Sequence, residues 1–145
     1  MTMLPRAVLF DVDGTLALRG DGPGVRAFYH WHRVGEDQPN PAIVELAQTI
    51  AAAGRHRIIV MSARDSVCRP ETEEWLEDHN IPFDDLHMRA PRDNRKDAIV
   101  KQELYRQHIE GRYDVAFVVD DRNQVVRMWR DVLGLTVLQC ADGDF

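Results

Sequence analysis

Cysteine, long apolar runs and excess positive charge are all scarce in these 145 residues. The two cysteines, Cys68 and Cys140, lie far apart and outside any CxxC pair, which excludes a disulfide framework and a zinc ribbon. Reduced thiols in a cytoplasm are the expectation. No segment approaches the roughly eighteen apolar residues of a membrane span, and the opening MTMLPRAVLF meets Asp11 too soon for a signal peptide. Lys and Arg number 18 against 24 Asp and Glu, a net charge of -6 that argues against coating nucleic acid through unselective electrostatics. It does not exclude nucleic acid as a substrate. Repeats and low-complexity tracts are missing, and no GxxxxGK[ST] occurs, so the chain carries no P-loop kinase motif.

What is present suits one domain spanning 1–145, with roughly 68% of the unfolded surface buried on folding by the scaling of area with mass. Arg6 to Phe10 is a strand-forming apolar run that stops at Asp11-Val12-Asp13-Gly14-Thr15. Residues 17–40, with Gly20, Gly22, Pro23, Gly24 and Pro39 around Phe28-Tyr29-His30-Trp31, read as a small flap with one short helix. Pro41 opens a helix whose apolar positions Ile43, Leu46, Ala47 and Ile50 recur at helical spacing until Gly54. Further strands are expected at Ile58–Met61, near Leu86–Met88, at Val115–Val119 and at Leu135–Leu138. Helices are expected at Thr72–His79, Asp93–Ile109 and from Val125 to Gly134. This alternation implies an α/β fold, a Rossmann-like three-layer sandwich around a mostly parallel sheet with only a minimal cap.

Three separate apolar strands end on polar groups: Asp11 and Asp13, Ser62 and Arg64, Asp120 and Asp121. Ligands of open parallel sheets bind beyond the carboxyl ends of the strands, so these groups are expected to converge. Four carboxylates in one place repel unless a cation joins them, and all-oxygen ligation beside a phosphate favours Mg²⁺. Each piece alone has a plainer reading. Asp-x-Asp-Gly is an ordinary turn, Asp120-Asp121 caps a helix, and Ser62 is a turn hydroxyl.

Taken together, Phe10-Asp11-Val12-Asp13-Gly14-Thr15-Leu16 resembles the first motif of the haloacid dehalogenase-like (HAD) superfamily. Val60-Met61-Ser62-Ala63-Arg64 resembles the second, the lysine-bearing Arg95-Lys96-Asp97 the third, and Val118-Val119-Asp120-Asp121-Arg122 the fourth. Over nearly the whole chain the sequence is similar to the 3'-phosphatase domains of bacteriophage polynucleotide kinase/phosphatases, through Val44-Glu45-Leu46, Arg95 to Lys101, Gln124-Val125-Val126, Met128-Trp129-Arg130 and Gly143-Asp144-Phe145.

The resemblance implies a Mg²⁺-dependent phosphomonoesterase acting on 3'-phosphate ends of DNA or RNA. Asp11 would be the nucleophile forming an aspartyl-phosphate, and Asp13 the acid and then the base. The metal set it implies is Asp11, the Asp13 backbone carbonyl, and Asp120 or Asp121. Thr15 and Ser62 would donate hydrogen bonds to the phosphoryl oxygens, Arg64 would contact phosphate or substrate, and Lys96 is favoured over Lys101 as the phosphate lysine. Asp97 would pair with Arg64 or a lysine. The phage domains assemble through this domain, which brings a homodimer and a separate kinase or ligase partner into view. One departure stands out: where they carry an arginine in a Gly-Arg-Gly-Pro setting, this chain reads Gly20-Asp21-Gly22-Pro23, with Arg19 and Arg26 as replacements.

Other classes remain open at this point: a phosphatase of small metabolites or nucleotides, and a non-catalytic module that binds phosphate ends. The short flap favours a polymer end, and Phe28, Tyr29 and Trp31 are candidates to stack a base, although at least two of the three are expected to pack the flap onto the body. His30 and His32 do not share a helical face, which argues against a metal pair. Seven acids and no Lys or Arg fall in residues 71–85, whereas residues 89–106 hold six bases against three acids, a local +3 near the proposed site.

Overall fold

A computed structural model describes residues 3–145. Strand β1 (Arg6–Phe10) is the centre of a five-stranded sheet. Its neighbours are β4 (Arg57–Asp65) on one side and β6 (Asp114–Asp120) on the other, with β5 (Asp85–Arg89) and β7 (Val137–Gln139) at the edges. Every pairing in this sheet is parallel, for example Phe10 beside both Val60 and Val119. The α/β sandwich expected from alternating strands and helices is therefore observed.

Successive residues of β1 point to opposite faces. Val8 and Phe10 join Ile58, Val60, Val44, Ala47, Trp75 and Leu76 in one core, while Ala7 and Leu9 join Ile59, Met61, Val100, Leu104, Val126 and Trp129 in the other. The first core lies under α1 (Pro41–Ala53) and α2 (Arg69–Asp78), the second under α3 (Asp97–His108) and α4 (Asn123–Arg127). All four β1 residues from Ala7 to Phe10 are buried, and at about 25 cal/mol per Å² of apolar area this holds β1 firmly under the site. Among the described residues no helix is long and apolar enough to cross a membrane.

Several boundaries differ from expectation, among them those that bear on the site. Strand β4 runs on to Asp65, so Ser62-Ala63-Arg64 belongs to the strand instead of following it. Its pairing with β5 shifts between Ser62 and Asp65, an irregularity that re-aims side chains. Helix α2 begins at Arg69, three residues early, with Pro70 accommodated in its first turn. Helix α3 begins only at Asp97, because Arg89 ties the preceding loop down by donating to the carbonyls of Asp93 and Arg95. Helix α4 gives way to a π-helical turn over Met128–Val132.

The flap is an antiparallel pair, β2 (Ala17–Leu18) with β3 (Gln38–Pro39), enclosing a 3-10 turn over Trp31–Glu36. Asn40 closes its base, its backbone N–H donating to Leu16 and its side chain to the carbonyl of Thr15.

Candidate active site

Strands β1 and β6, neighbours in the sheet, bring the acids together at their carboxyl ends. Asp11 follows β1 directly and its backbone N–H donates to the carbonyl of Val119, which fixes it beside β6. Asp120 is the last residue of β6 and Asp121 the next. Carboxylate oxygens of Asp11, Asp120 and Asp121 lie within 4.8 Å of one another, and all three residues are buried.

One cation stands among them. Lys101 Nζ donates to Asp11 Oδ1 at 2.7 Å and to Asp120 Oδ2 at 2.9 Å, and its side chain is 2% exposed. Lys101 shares the buried face of α3 with Val100 and Leu104. Lys96, by contrast, occupies the N-cap position and is exposed, its side chain making no hydrogen bond among the described residues. The preference for Lys96 is therefore corrected to Lys101. Its cause is the late start of α3, which leaves Lys96 outside the helix and points the second turn, not the first, at the sheet.

Both oxygens of Asp120 are engaged: Oδ2 also accepts from Trp129 Nε1 at 3.2 Å, and Oδ1 accepts from the Asp121 backbone N–H at 2.8 Å. Trp129 sits on the π-helical turn, where the extra residue of a wider turn aims its indole at the acid. Among the described residues no lysine or arginine pairs with the Asp121 carboxylate. Burial, with the charges of Asp120 and Asp121, pushes the Asp11 carboxyl well above the usual carboxylate range despite Lys101. Asp121 is likewise raised, by burial first and by Asp120. Lys101 is held above the ordinary lysine range because the two carboxylates outweigh its burial. Three buried acids against one ammonium leave uncompensated negative charge and an all-oxygen donor set, which fits a hard divalent cation.

Gly14 allows this closeness. It has φ +85°, and a Cβ there would overlap Asp121 Oδ2. Thr15, fully buried, donates from Oγ1 to Asp11 Oδ2 at 2.9 Å. A hydroxyl has one proton, so here Thr15 orients the Asp11 carboxylate instead of facing a phosphoryl oxygen. Ser62 Oγ accepts from the backbone N–H of Arg64 at 3.1 Å, which leaves its own proton free to donate.

Asp13 points away from the acid cluster. Its carboxylate accepts from Arg64 Nη2 at 2.8 Å and Nε at 3.0 Å, and from Arg26 Nη2 at 3.4 Å. Partial loss of solvent acts to raise the Asp13 carboxyl, whose side chain is still 46% exposed, but the charge and hydrogen bonds of Arg64, with Arg26 beyond, hold it below the usual range. Thus its carboxylate is not a member of the metal cluster, and any share in metal holding falls to its backbone carbonyl. Arg64, 1% exposed, also donates to Asp37 Oδ2 at 3.0 Å and Thr72 Oγ1 at 3.0 Å. The expectation of Arg64 as a phosphate contact is corrected: its guanidinium is enclosed and committed to Asp13. Asp37 further binds Arg26 through both oxygens, at 2.8 and 2.7 Å, and its carbonyl accepts from Trp75 Nε1.

Of the two replacements for the missing loop arginine, Arg26 reaches Asp13 while Arg19 is exposed. Asp37 carried no signal in the sequence, since nothing in an acid ahead of a proline-bearing loop shows that it binds the buried guanidiniums of Arg26 and Arg64 behind Asp13. Asp97 pairs with Arg89 at 2.6 Å and Arg122 at 2.8 Å, and not with Arg64 or a lysine. Through those two arginines it ties the start of α3 to the Ala63 carbonyl on β4 and to the loop after Asp121. The local basic excess is also revised: Lys101 is buried in the site, Arg89 is turned inward, and Arg95 pairs with Asp93 and Glu103.

Comparison with known proteins adds four findings. The family described as the polynucleotide kinase PNKP phosphatase domain matches residues 5–145. A protein of Autographa californica nuclear polyhedrosis virus named "Putative bifunctional polynucleotide kinase/RNA ligase" is 38% identical over 141 residues, covering 95% of this chain and 20% of that protein. A chain of the Pnkp1/Rnl/Hen1 complex superposes with a TM-score of 0.92 at 40% identity, covering 100% of this chain and 49% of the other. A second structure, of the Pnkp1/Rnl/Hen1 RNA repair complex, gives 0.91 at 40% identity with 98% and 44% coverage. This chain therefore spans about a fifth of the viral relative and about half of the solved chains.

Proposed function

Since the chain belongs to the family of polynucleotide kinase PNKP phosphatase domains, we propose that it is a Mg²⁺-dependent phosphomonoesterase that removes the 3'-phosphate from polynucleotide ends through an aspartyl-phosphate. The observation that carries this reading is the state of Asp11. It is a buried carboxylate gripped on one oxygen by Lys101 and on the other by Thr15, at the carboxyl end of the central strand.

A carboxylate held at both oxygens keeps one orientation for in-line attack, which is the positional half of nucleophilic catalysis. An Asp11 oxygen bonds to phosphorus as the bond from phosphorus to O3' breaks, and the leaving oxygen takes a proton that Asp13 acquires when the negative charge of the bound phosphate raises its proton affinity. Water then attacks the same phosphorus and yields its proton to Asp13; phosphate leaves and the Asp11 carboxylate returns. Arg64 and Arg26 fix the Asp13 rotamer between these steps, and at rest they favour its carboxylate, the form that accepts the proton of water. Ser62 donates its free hydroxyl proton to a phosphoryl oxygen, and Lys101 has a third N–H left for another.

Mg²⁺ would be held by the carboxylates of Asp11 and Asp121 and the backbone carbonyl of Asp13, with Asp120 anchoring Lys101 beside them. When bound, it supplies Lewis-acid neutralisation of the phosphoryl charge. The reading extends to kinase and ligase activities supplied by polypeptide outside these 145 residues, because the viral relative is named for both and the solved relatives come from a multi-protein RNA repair complex. Release of inorganic phosphate from matched oligonucleotides ending in a 3'-phosphate, a 5'-phosphate or neither tests the proposal. Only the first should be turned over, and only with the metal present. Turnover confined to 3'-mononucleotides would favour a small-molecule phosphatase instead.

A further inference from the structure

The flap displays two large aromatic side chains that the catalytic roles leave unused. Phe28 is 64% exposed and Tyr29 60%, with their rings edge to face at 5.3 Å, and the His30 ring stands edge-on to Tyr29 at 4.7 Å. The segment is not simply unpacked, since Trp31, next but one after Tyr29, lies against the core under the flap. Two of the three flap aromatics thus face solvent, the reverse of the expectation that most of them pack.

Arg26 connects this surface to the chemistry. Its buried guanidinium donates to the carbonyls of Phe28 at 3.1 Å and Ala27 at 3.3 Å, to both oxygens of Asp37, and to Asp13 Oδ1 at 3.4 Å. The backbone that carries the Phe28 ring and the Asp13 carboxylate are therefore separated by the span of one guanidinium. A strand end whose phosphate lay at Asp11 with its O3' towards Asp13 would run its last nucleosides past this arginine and the backbone of Phe28. Every base has a π face, so adjacent exposed rings hold a base without reading its identity.

We propose that Phe28 and Tyr29 form a stacking platform for a nucleobase at or next to the 3'-phosphorylated end, held in register with Asp13 by Arg26. The proposal rests on the polynucleotide reading above. It concerns how the enzyme distinguishes a strand end from a bare phosphate ester.

The test compares kcat/KM of the wild type and of Phe28→Ala/Tyr29→Ala on 3'-phosphorylated oligonucleotides with intact bases and on the same strands with the last two nucleosides abasic. The wild type should prefer the intact strand by about tenfold or more, from the usual range of base-aromatic stacking. The double variant should lose most of that preference through KM, and Phe28→Trp/Tyr29→Trp should restore it. Equal preference in wild type and variant overturns the platform while leaving the polynucleotide phosphatase intact. Failure of the wild type to turn over any oligonucleotide overturns the underlying reading instead. Sedimentation of the same proteins identifies the competing occupant: unchanged kinetics with a shift from dimer to monomer makes the patch an interface between copies and refutes the proposal.

Discussion

Replacing Lys101 by methionine is the sharpest perturbation the site offers, because stability and activity should both respond and a neighbouring lysine serves as the control. Among the described residues the Lys101 ammonium is the one cation bonded to both Asp11 and Asp120, and its side chain is 2% exposed. Breaking a buried ion pair by removing one partner typically costs about 3–5 kcal/mol. At about 2–4 °C per kcal/mol for a domain of this size, the metal-free protein should melt roughly 6–20 °C lower. The sign with pH follows from the acids left behind. Without Lys101 the Asp11 carboxyl, already raised by burial and by its acidic neighbours, rises further. A carboxyl whose folded pKa exceeds its unfolded one destabilises the fold once the unfolded form has ionised, so the deficit should be smaller near pH 5 than near pH 8. Lys96→Ala, at an exposed position, should change stability by less than about 0.5 kcal/mol and retain phosphatase activity. Adding Asp11→Asn to Lys101→Met should recover part of the stability but none of the activity. Thermal unfolding with phosphate release across these four proteins decides the matter. Loss of activity in Lys96→Ala together with an active, undisturbed Lys101→Met would refute the assignment.

Three further outcomes follow from the same geometry. Asp37→Ala leaves the buried guanidiniums of Arg26 and Arg64 short of an acid, and denaturant titration should show a loss of about 3–5 kcal/mol together with reduced kcat from a loosened Asp13. Gly14→Ala places a methyl group against the Asp121 carboxylate at a backbone φ of +85°, so calorimetry should show a weaker Mg²⁺ response along with a stability loss of about 1–3 kcal/mol. Mg²⁺ at a hundredfold excess over its dissociation constant should stabilise the wild type by about 2.7 kcal/mol, reversibly with chelator. That gain should shrink below neutral pH, where protons compete for the raised carboxyls of Asp11 and Asp121; equal stabilisation at pH 5 and pH 8 would place the metal elsewhere.

How far the sequence carried this account depended on whether a feature was local. Apolar runs ending on acids are local, so β1 and β6, with Asp11 and Asp120 at their ends, could be read directly. Gly54, ending α1 in a left-handed conformation, was equally readable. Lys101 was harder, since which lysine faces the sheet depends on where α3 starts, and that start is set by Arg89 gripping the preceding loop from another strand. The Arg26-Asp37-Arg64-Asp13 network joins four residues from the flap, β4 and the turn after β1, with Asp13 and Arg64 separated by 51 positions. No periodicity or spacing encodes such a network. Trp129 belongs to the same class: its role follows from a π-helical turn that widens one step of an otherwise ordinary amphipathic pattern.

The central claim is that Asp11 attacks a 3'-terminal phosphate. It is tested most directly by acid-quenching the Mg²⁺-loaded wild type and Asp11→Asn during turnover of a 3'-phosphorylated oligonucleotide, then locating any phosphorylated peptide by mass. The wild type should carry the phosphoryl group on the peptide containing Asp11, and Asp11→Asn should carry none while releasing phosphate at least about 10³-fold more slowly. Phosphate release by Asp11→Asn within tenfold of the wild type, or a phosphoryl group trapped at another residue, would contradict the account.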